Sequence, residues 1–183
     1  MNNATVVKED QSIKVDHRAG KYLTFFLDRE EYGVEILKVQ EIIGRMPITP
    51  VPLTSKYILG VINLRGKIHP IMDLKIKFGM DQTQITDETC IIVIKTARLM
   101  MGVLVDKVSE VVNVATEDIE DTPSFGADVN TEYLLGVGKT GGRVRLLLDI
   151  EKIITASDII HLKKAAETSG QKPKAEKNQI QTN

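Results

Sequence analysis

An internal repeat is the feature that most constrains how this chain can fold. The segment YILGVINLRGKIHPIMDL (residues 57–74) aligns with YLLGVGKTGGRVRLLLDI (133–150). Upstream of these, YGVEILKVQEII (32–43) aligns with MGVLVDKVSEVV (101–112). A period of roughly 70 residues is far too long for a solenoid repeat. The repeat therefore predicts two similar five-stranded units, about residues 22–80 and 90–154.

Short apolar runs separated by polar turns fill both units, which favours small β-barrels or a sandwich over βαβ units. One helix is expected at about residues 157–166, with Ser157 as its N-cap. We predict a mainly β fold of two barrels packed side by side, with short helical turns and this terminal helix, over residues 21–167. Residues 1–20 are predicted to be a flexible arm and residues 168–183 a disordered tail.

Composition and charge exclude several classes of function. The chain has 24 lysine and arginine residues against 25 aspartate and glutamate residues, whereas nucleic-acid readers usually show a basic excess. The first twenty residues lack the apolar core of a signal peptide. No apolar run approaches the ~18 to 20 residues that span a membrane. We therefore expect a cytoplasmic protein that binds no nucleic acid and does not insert into membranes.

No motif predicts an enzyme, a cofactor or a metal site. Residues 136–141 contain a formal G-x-G-x-x-G, but residues 143–148 have a strand pattern instead of the helix that would meet a phosphate. The three histidines are far apart, and no C-x-x-C or H-x-x-x-H spacing occurs. The single cysteine, Cys90, begins an aliphatic strand and is interpreted as a buried structural thiol.

Two predicted strands, residues 91–94 and 100–105, are apolar on both faces. A half-buried strand would alternate between apolar and polar residues, so this pattern needs another explanation. Packing of one barrel against the other explains part of it. Any exposed aliphatic remainder would mark a surface for a partner.

Arg65 places a permanent charge at the tip of an aliphatic hairpin, GVINLRGKIHPIMDL (60–74). The second copy of the repeat has Gly141 in the same position, so the hairpin does not need the arginine in order to fold. The guanidinium offers a fork of donors for a carboxylate, and Glu41 is the candidate partner. Glu41 also has a counterpart in the second copy, Glu110. We interpret Arg65 as an orienting residue for binding; the alternative is a solvated turn charge worth under about 1 kcal/mol.

Three segments together resemble the CheW family of chemotaxis adaptors. They are YGVEILKVQEI (32–42), GVINLRGKIHPIMDL (60–74) and TEYLLGVG (131–138). The resemblance extends from about Tyr22 to Leu162. It implies two SH3-like five-stranded β-barrels around a hydrophobic seam, without enzymatic activity or cofactor. It also implies a cytoplasmic scaffold that couples methyl-accepting chemoreceptors to the histidine kinase CheA in membrane-associated arrays.

The resemblance further implies where the partners bind. The chemoreceptor's helical hairpin tip is expected between the barrels, against Ile36, Val39, Glu41, Ile42 and Arg65. The regulatory domain of CheA, which itself resembles the adaptor, is expected on the second barrel around Met101 and Val103. A weaker contact through the first barrel would close a ring. The alternative is that the chain is a CheW-like regulatory domain of a larger chemotaxis protein.

Overall fold

The computed structural model describes residues 16–123, 131–160 and 162, and within them the fold is mainly β, as predicted. Eleven strands are present in these residues: β1 (Gly20–Leu27), β2 (Glu30–Glu35), β3 (Val39–Gly44), β4 (Ile58–Leu64), β5 (Lys67–Asp73), β6 (Cys90–Lys95), β7 (Met100–Val105), β8 (Lys107–Val114), β9 (Ile119–Glu120), β10 (Leu134–Thr140) and β11 (Arg143–Leu148). Two one-turn helices, α1 (Leu74–Lys77) and α2 (Ile150–Ile153), follow β5 and β11. 3₁₀ turns occur at Ile36–Lys38 and Thr116–Asp118.

The strands form two sheets. Sheet A has the order β8-β1-β2-β11-β10-β9, and sheet B has the order β3-β6-β7-β5-β4. The β2–β11 and β5–β7 pairs are parallel, and the other named pairs in the described residues are antiparallel. Because β9 contains only two residues, each sheet has five substantial strands, as the repeat predicted.

The two copies of the repeat exchange their first hairpins. β1 and β2 come from the first copy but pair in sheet A with β8 and β11 of the second copy. β6 and β7 come from the second copy but pair in sheet B with β3 and β5 of the first. The predicted limits of two consecutive barrels, 22–80 and 90–154, are therefore wrong. A repeat predicts the strands, but it carries no information on whether a hairpin pairs with its own copy or with the other.

A central hydrophobic core lies between the two sheets, and each sheet also has a smaller cluster on its other face. Strand β6 illustrates this arrangement: Ile92 and Ile94 belong to the central core, whereas Ile91 and Val93 belong to the cluster of sheet B. Burial on both sides explains why the strands at 91–94 and 100–105 lack alternation. All of their residues except the half-buried Met100 are buried, so they leave no exposed aliphatic surface.

Capping aspartates begin both short helices at equivalent positions of the repeat. The Asp73 carboxylate accepts from Lys75 N at 2.9 Å, and the Asp149 carboxylate accepts from Glu151 N at 3.2 Å. Such caps satisfy amide groups that have no partner inside the helix. Each helix therefore starts directly after the last strand of its copy.

The C-terminal helix is helical at residues 156–160 and 162, and its predicted N-cap is wrong. Thr155, rather than Ser157, caps it: Thr155 Oγ1 accepts from Asp158 N at 3.2 Å, and Asp158 Oδ2 accepts from Thr155 N at 3.0 Å. This reciprocal pair is a capping box. Burial opposes the charge of Asp158, but hydrogen bonds from Tyr57 and Thr155 outweigh burial and lower its pKa. The remainder of the predicted helix, residues 163–166, lies outside the described residues.

The predicted flexible arm is wrong for its last residues, 16–20, which are bonded to the body of the protein. Arg18 NH1 donates to Asp121 Oδ1 at 2.8 Å and to Leu135 O at 3.0 Å. The hydroxyl of Tyr22 donates to Arg18 O at 2.6 Å. Residues 1–15 and the predicted tail at 168–183 lie outside the described residues.

The exchange of hairpins predicts that neither copy folds alone, because each sheet needs strands from both. We expect fragments 16–88 and 89–162, produced separately, to show no cooperative thermal transition by circular dichroism. Their equimolar mixture should regain the transition of the intact chain. A cooperative transition in either isolated fragment would mean that each copy completes its own barrel, contrary to the observed pairing.

Candidate partner-binding surfaces

Four of the five predicted receptor-contact residues lie on or just before β3, an edge strand of sheet B. A bulge between Val39 and Glu41 determines which face each side chain occupies. Val39 and Ile42 pair with β6 residues that face the central core, whereas Glu41 pairs with Val93, which faces the cluster of sheet B. Directly opposed residues share a face of the sheet, so Ile42 and Glu41 point to opposite sides.

The aliphatic residues of this region differ in exposure. Ile36 and Val39 are partly buried against the central core, whereas Ile42 is 46% exposed. Two further exposed residues were missed in the sequence: Leu37, which is almost fully exposed, and Ile68 on β5, which is 60% exposed. Leu37 could have been identified in the sequence because it follows Ile36 within the segment 32–42 that resembles the CheW family. Ile68 could have been identified because it lies three residues after Arg65.

The predicted pairing of Arg65 with Glu41 is present. NH2 of Arg65 donates to Oε2 of Glu41 at 2.8 Å, and NH1 donates to Oε1 at 3.2 Å. Arg65 has a φ of 52°, and the turn is supported by Asn63 Oδ1, which accepts from Gly66 N at 2.8 Å. The pair joins the tip of the β4–β5 hairpin to β3, and so connects the two edges of sheet B.

The equivalent glutamate of the second copy, Glu110, also has arginine partners, but they come from β11 rather than from the turn. Oε1 of Glu110 lies 3.2 Å from Arg145 NH2 and 3.6 Å from Arg143 NH1. The absence of an arginine at Gly141 therefore does not make Arg65 dispensable, because the second copy obtains the same ion pair from other positions. In both copies this pair ties an edge strand to the second hairpin.

The two ion pairs differ in burial. The side chain of Arg65 is 78% exposed, whereas that of Arg145 is 3% exposed. Nε of Arg145 also lies 3.2 Å from Oε1 of the buried Glu31. These two atoms are close enough for an ion pair but are not aligned for a hydrogen bond, so Arg145 holds Glu31 mainly by charge. Arg65 is therefore open to a partner and Arg145 is not, although Arg143 and Glu110 of the second copy stay about half exposed.

An exposed aliphatic pair lies close in sequence to each ion pair, at equivalent positions of the repeat. Patch B is Ile42 and Ile68, which lie next to Glu41 and three residues after Arg65. Patch A is Val111 and Val144, the residues equivalent to Ile42 and Ile68, and they are 50% and 60% exposed. The fold thus presents two similar surfaces, one on each sheet.

Comparisons with known proteins agree with the resemblance in the sequence. The family model described as "CheW-like domain" matches residues 21–158. The chain belongs to the CheW-like family. It is 41% identical over 139 residues to the chemotaxis protein CheW of Klebsiella aerogenes, covering 76% of this chain and 84% of that protein. It is 35% identical over 136 residues to CheW of Rhizobium meliloti, covering 74% and 88%.

A solved structure agrees as well. The scaffolding protein CheW of Thermoanaerobacter tengcongensis is similar with a TM-score of 0.69 and 31% identity, covering 76% of this chain and 90% of that one. The predicted chemotaxis-scaffold function and the prediction of CheW-type barrels are thereby confirmed.

The expected kinase contact at Met101 and Val103 is wrong for this CheW-like fold. Both residues lie on β7, the middle strand of sheet B, and their side chains are 0% and 2% exposed in the central core. They cannot form a contact surface without opening the core. Their apolar run reflects burial on both faces, which a sequence pattern cannot distinguish from an exposed patch.

The structure also bears on metal binding, thiol reactivity, the glycine motif and membrane crossing. Among the described residues, no group of three or more His, Cys, Asp or Glu side chains could hold a metal ion. Burial raises the pKa of the partly buried Cys90 thiol, which disfavours the reactive thiolate. The formal G-x-G-x-x-G lies in β10 and its turn, and strand β11 follows it. Within the described ranges, no helix is long and apolar enough to cross a membrane.

The difference in burial predicts different stability effects for the two arginines. Arg65→Ala should lower the free energy of unfolding by less than about 1 kcal/mol, because an exposed pair is screened by water. Arg145→Ala should lower it by about 3 kcal/mol, because Glu31 loses its nearest partner while it stays buried. Urea denaturation of both variants measures this. Equal losses would mean that Arg65 is a structural residue of the hairpin.

Proposed function

We propose that this protein is a non-enzymatic cytoplasmic scaffold that couples the signalling tip of methyl-accepting chemoreceptors to the histidine kinase CheA. The observation that supports this most directly is the presence of two similar exposed surfaces, patch B and patch A, on opposite copies of one repeat. A coupling protein must hold two partners at once, and therefore needs two separate surfaces. Membership of the CheW-like family supports the same function.

The receptor tip binds at patch B in this proposal. The side chains of patch B, together with Leu37, supply most of the binding free energy, because burying exposed aliphatic surface away from water is favourable. Arg65, whose side chain is 78% exposed, lies at the tip of the hairpin that carries Ile68 and orients the docked helices. Ile36 and Val39 pack on the central core and so anchor the chain just before Ile42.

The kinase binds at patch A. This assignment replaces Met101 and Val103, which are buried. Val111 and Val144 stand where Ile42 and Ile68 stand in the first copy, so patch A has the same kind of surface. Its ion pair is different, because Arg145 is buried and engaged with Glu31 and Glu110. Both patches are aliphatic, but the exposed arginine is a turn residue, Arg65, in the first copy and a strand residue, Arg143, in the second, which lets two different partners distinguish them.

The scaffold relays a mechanical difference and makes or breaks no bond. A receptor can change the kinase only if its two signalling states contact the assembly differently. The central core packs against both sheets and so connects the strand that bears one patch to the strand that bears the other. Recruitment to membrane-associated arrays then follows from receptor binding.

Substitutions on the two patches test this assignment. Ile42→Asp should weaken binding of a receptor signalling-tip peptide hairpin by at least about tenfold and leave binding of the CheA regulatory domain unchanged, because a buried carboxylate at the contact costs affinity. Val111→Asp should have the opposite effect. Both residues are about half exposed, so both variants should keep the melting temperature of the parent protein. Isothermal titration calorimetry with each partner provides the measurement.

Each variant is the matched control for the other. If each variant failed to bind both partners while its melting temperature stayed unchanged, the two partners would share one surface. If neither variant weakened either partner, both patches would be wrongly assigned.

A further inference from the structure

A charged side chain ties each exchanged hairpin to the short helix of its own copy. Glu151 in α2 and Lys75 in α1 occupy equivalent positions, two residues after the capping aspartates. Oε1 of Glu151 lies 2.7 Å from Lys38 Nζ, and both of its carboxylate oxygens accept from Ala97 N at 3.1 Å. The charge of the helix residue differs between the copies: it is the cation Lys75 in the first copy and the anion Glu151 in the second.

The second tie has the same arrangement. Nζ of Lys75 donates to Asp28 and lies 3.5 Å from Asp106 Oδ2. Asp28 follows β1 at the tip of its hairpin, as Ala97 lies at the tip of the β6–β7 hairpin. Asp106 Oδ2 also accepts from Asp28 N at 2.6 Å, which fastens the tip to the start of β8.

Each tie ends at the strand that bears one of the patches. Lys38 is the last residue before β3, which bears Ile42, and Asp106 is the last residue before β8, which bears Val111. The 3₁₀ turn Ile36–Lys38 has a backbone hydrogen bond from Val39 N to Ile36 O but no side-chain cap among the described residues, and the Lys38–Glu151 ion pair adds a side-chain restraint to it. The start of each edge strand is thus held by a charge on the helix.

We propose that Glu151 is a positioning residue for the receptor patch and that the Lys75–Asp106 tie positions the kinase patch. This inference rests on the proposed function and deepens it. Glu151 fixes the turn that carries Ile36 and Leu37, and through Ala97 it also fixes the hairpin whose strand β6 pairs with β3. Lys75 does the same for β8 through Asp106. Releasing one tie therefore loosens one patch and leaves the other in place.

Isosteric amides provide a matched test in the full-length protein. Glu151→Gln keeps an oxygen that accepts from Ala97 N but removes the charge that holds Lys38. Asp106→Asn keeps an oxygen that accepts from Asp28 N but removes the charge that faces Lys75. We expect Glu151→Gln to weaken receptor-tip binding about fivefold with CheA-domain binding unchanged, and Asp106→Asn to do the reverse. Lys38→Gln, on a partly exposed side chain, breaks the first tie from its other end and should reproduce the effect of Glu151→Gln.

If these residues had a purely structural role, the variants would have a lower melting temperature and would bind both partners more weakly. A loss of binding to one partner alone therefore distinguishes a positioning role from a structural one. Equal loss of both partners, or no loss of either, would overturn the inference. Ile42→Asp is measured in parallel. If Ile42→Asp weakens receptor binding while Glu151→Gln and Lys38→Gln do not, only the positioning role fails. If Ile42→Asp also leaves receptor binding intact, the proposed function itself fails.

Discussion

The exchange of first hairpins around a central hydrophobic core is the constraint on which the rest of the structure depends. Because β1–β2 completes sheet A and β6–β7 completes sheet B, each sheet contains strands from both copies of the repeat. Of the exchanged strands, β1, β6 and β7 place residues both in the central core and in the cluster of their own sheet, and β2 packs on the central core. The two sheets therefore share one packed interior, and their outer edges keep a fixed relation to each other.

This fixed relation is what a scaffold needs. Edge strands β3 and β8 remain at the margins of the two sheets, and each bears an exposed aliphatic residue and the glutamate of a glutamate–arginine pair. Glu41 pairs with an exposed turn arginine, Arg65, whereas Glu110 pairs with the buried Arg145 and the half-exposed Arg143, so the two aliphatic surfaces differ in the position of their exposed charge. The family of chemotaxis scaffolds to which the chain belongs agrees with a role that depends on surfaces rather than on chemistry.

Local signals in the sequence predicted much of this structure. The turn at Arg65, its pairing with Glu41, the strands around it and the mainly β fold follow from hydrophobic pattern, turn residues and the repeat. The exchange of hairpins could not be predicted, because pairing between distant strands leaves no trace in either strand's own pattern. The expectation for Met101 and Val103 was wrong for a similar reason. A strand that is buried on both faces and a strand that exposes one apolar face have the same run of apolar residues in the sequence. The N-cap was assigned to Ser157 instead of Thr155 because the capping box of Thr155 with Asp158, three residues later, was not recognised in the sequence.

The central claim is that two partners occupy two equivalent but separate edges of one rigid body. Amide hydrogen exchange of the intact protein, measured free, with the receptor tip and with the CheA regulatory domain, tests it most directly. We expect the receptor tip to slow exchange in residues 36–44 and 65–68, and the kinase domain to slow it in residues 107–114 and 143–145. Protection of the same residues by both partners, or protection outside both edges, would contradict it.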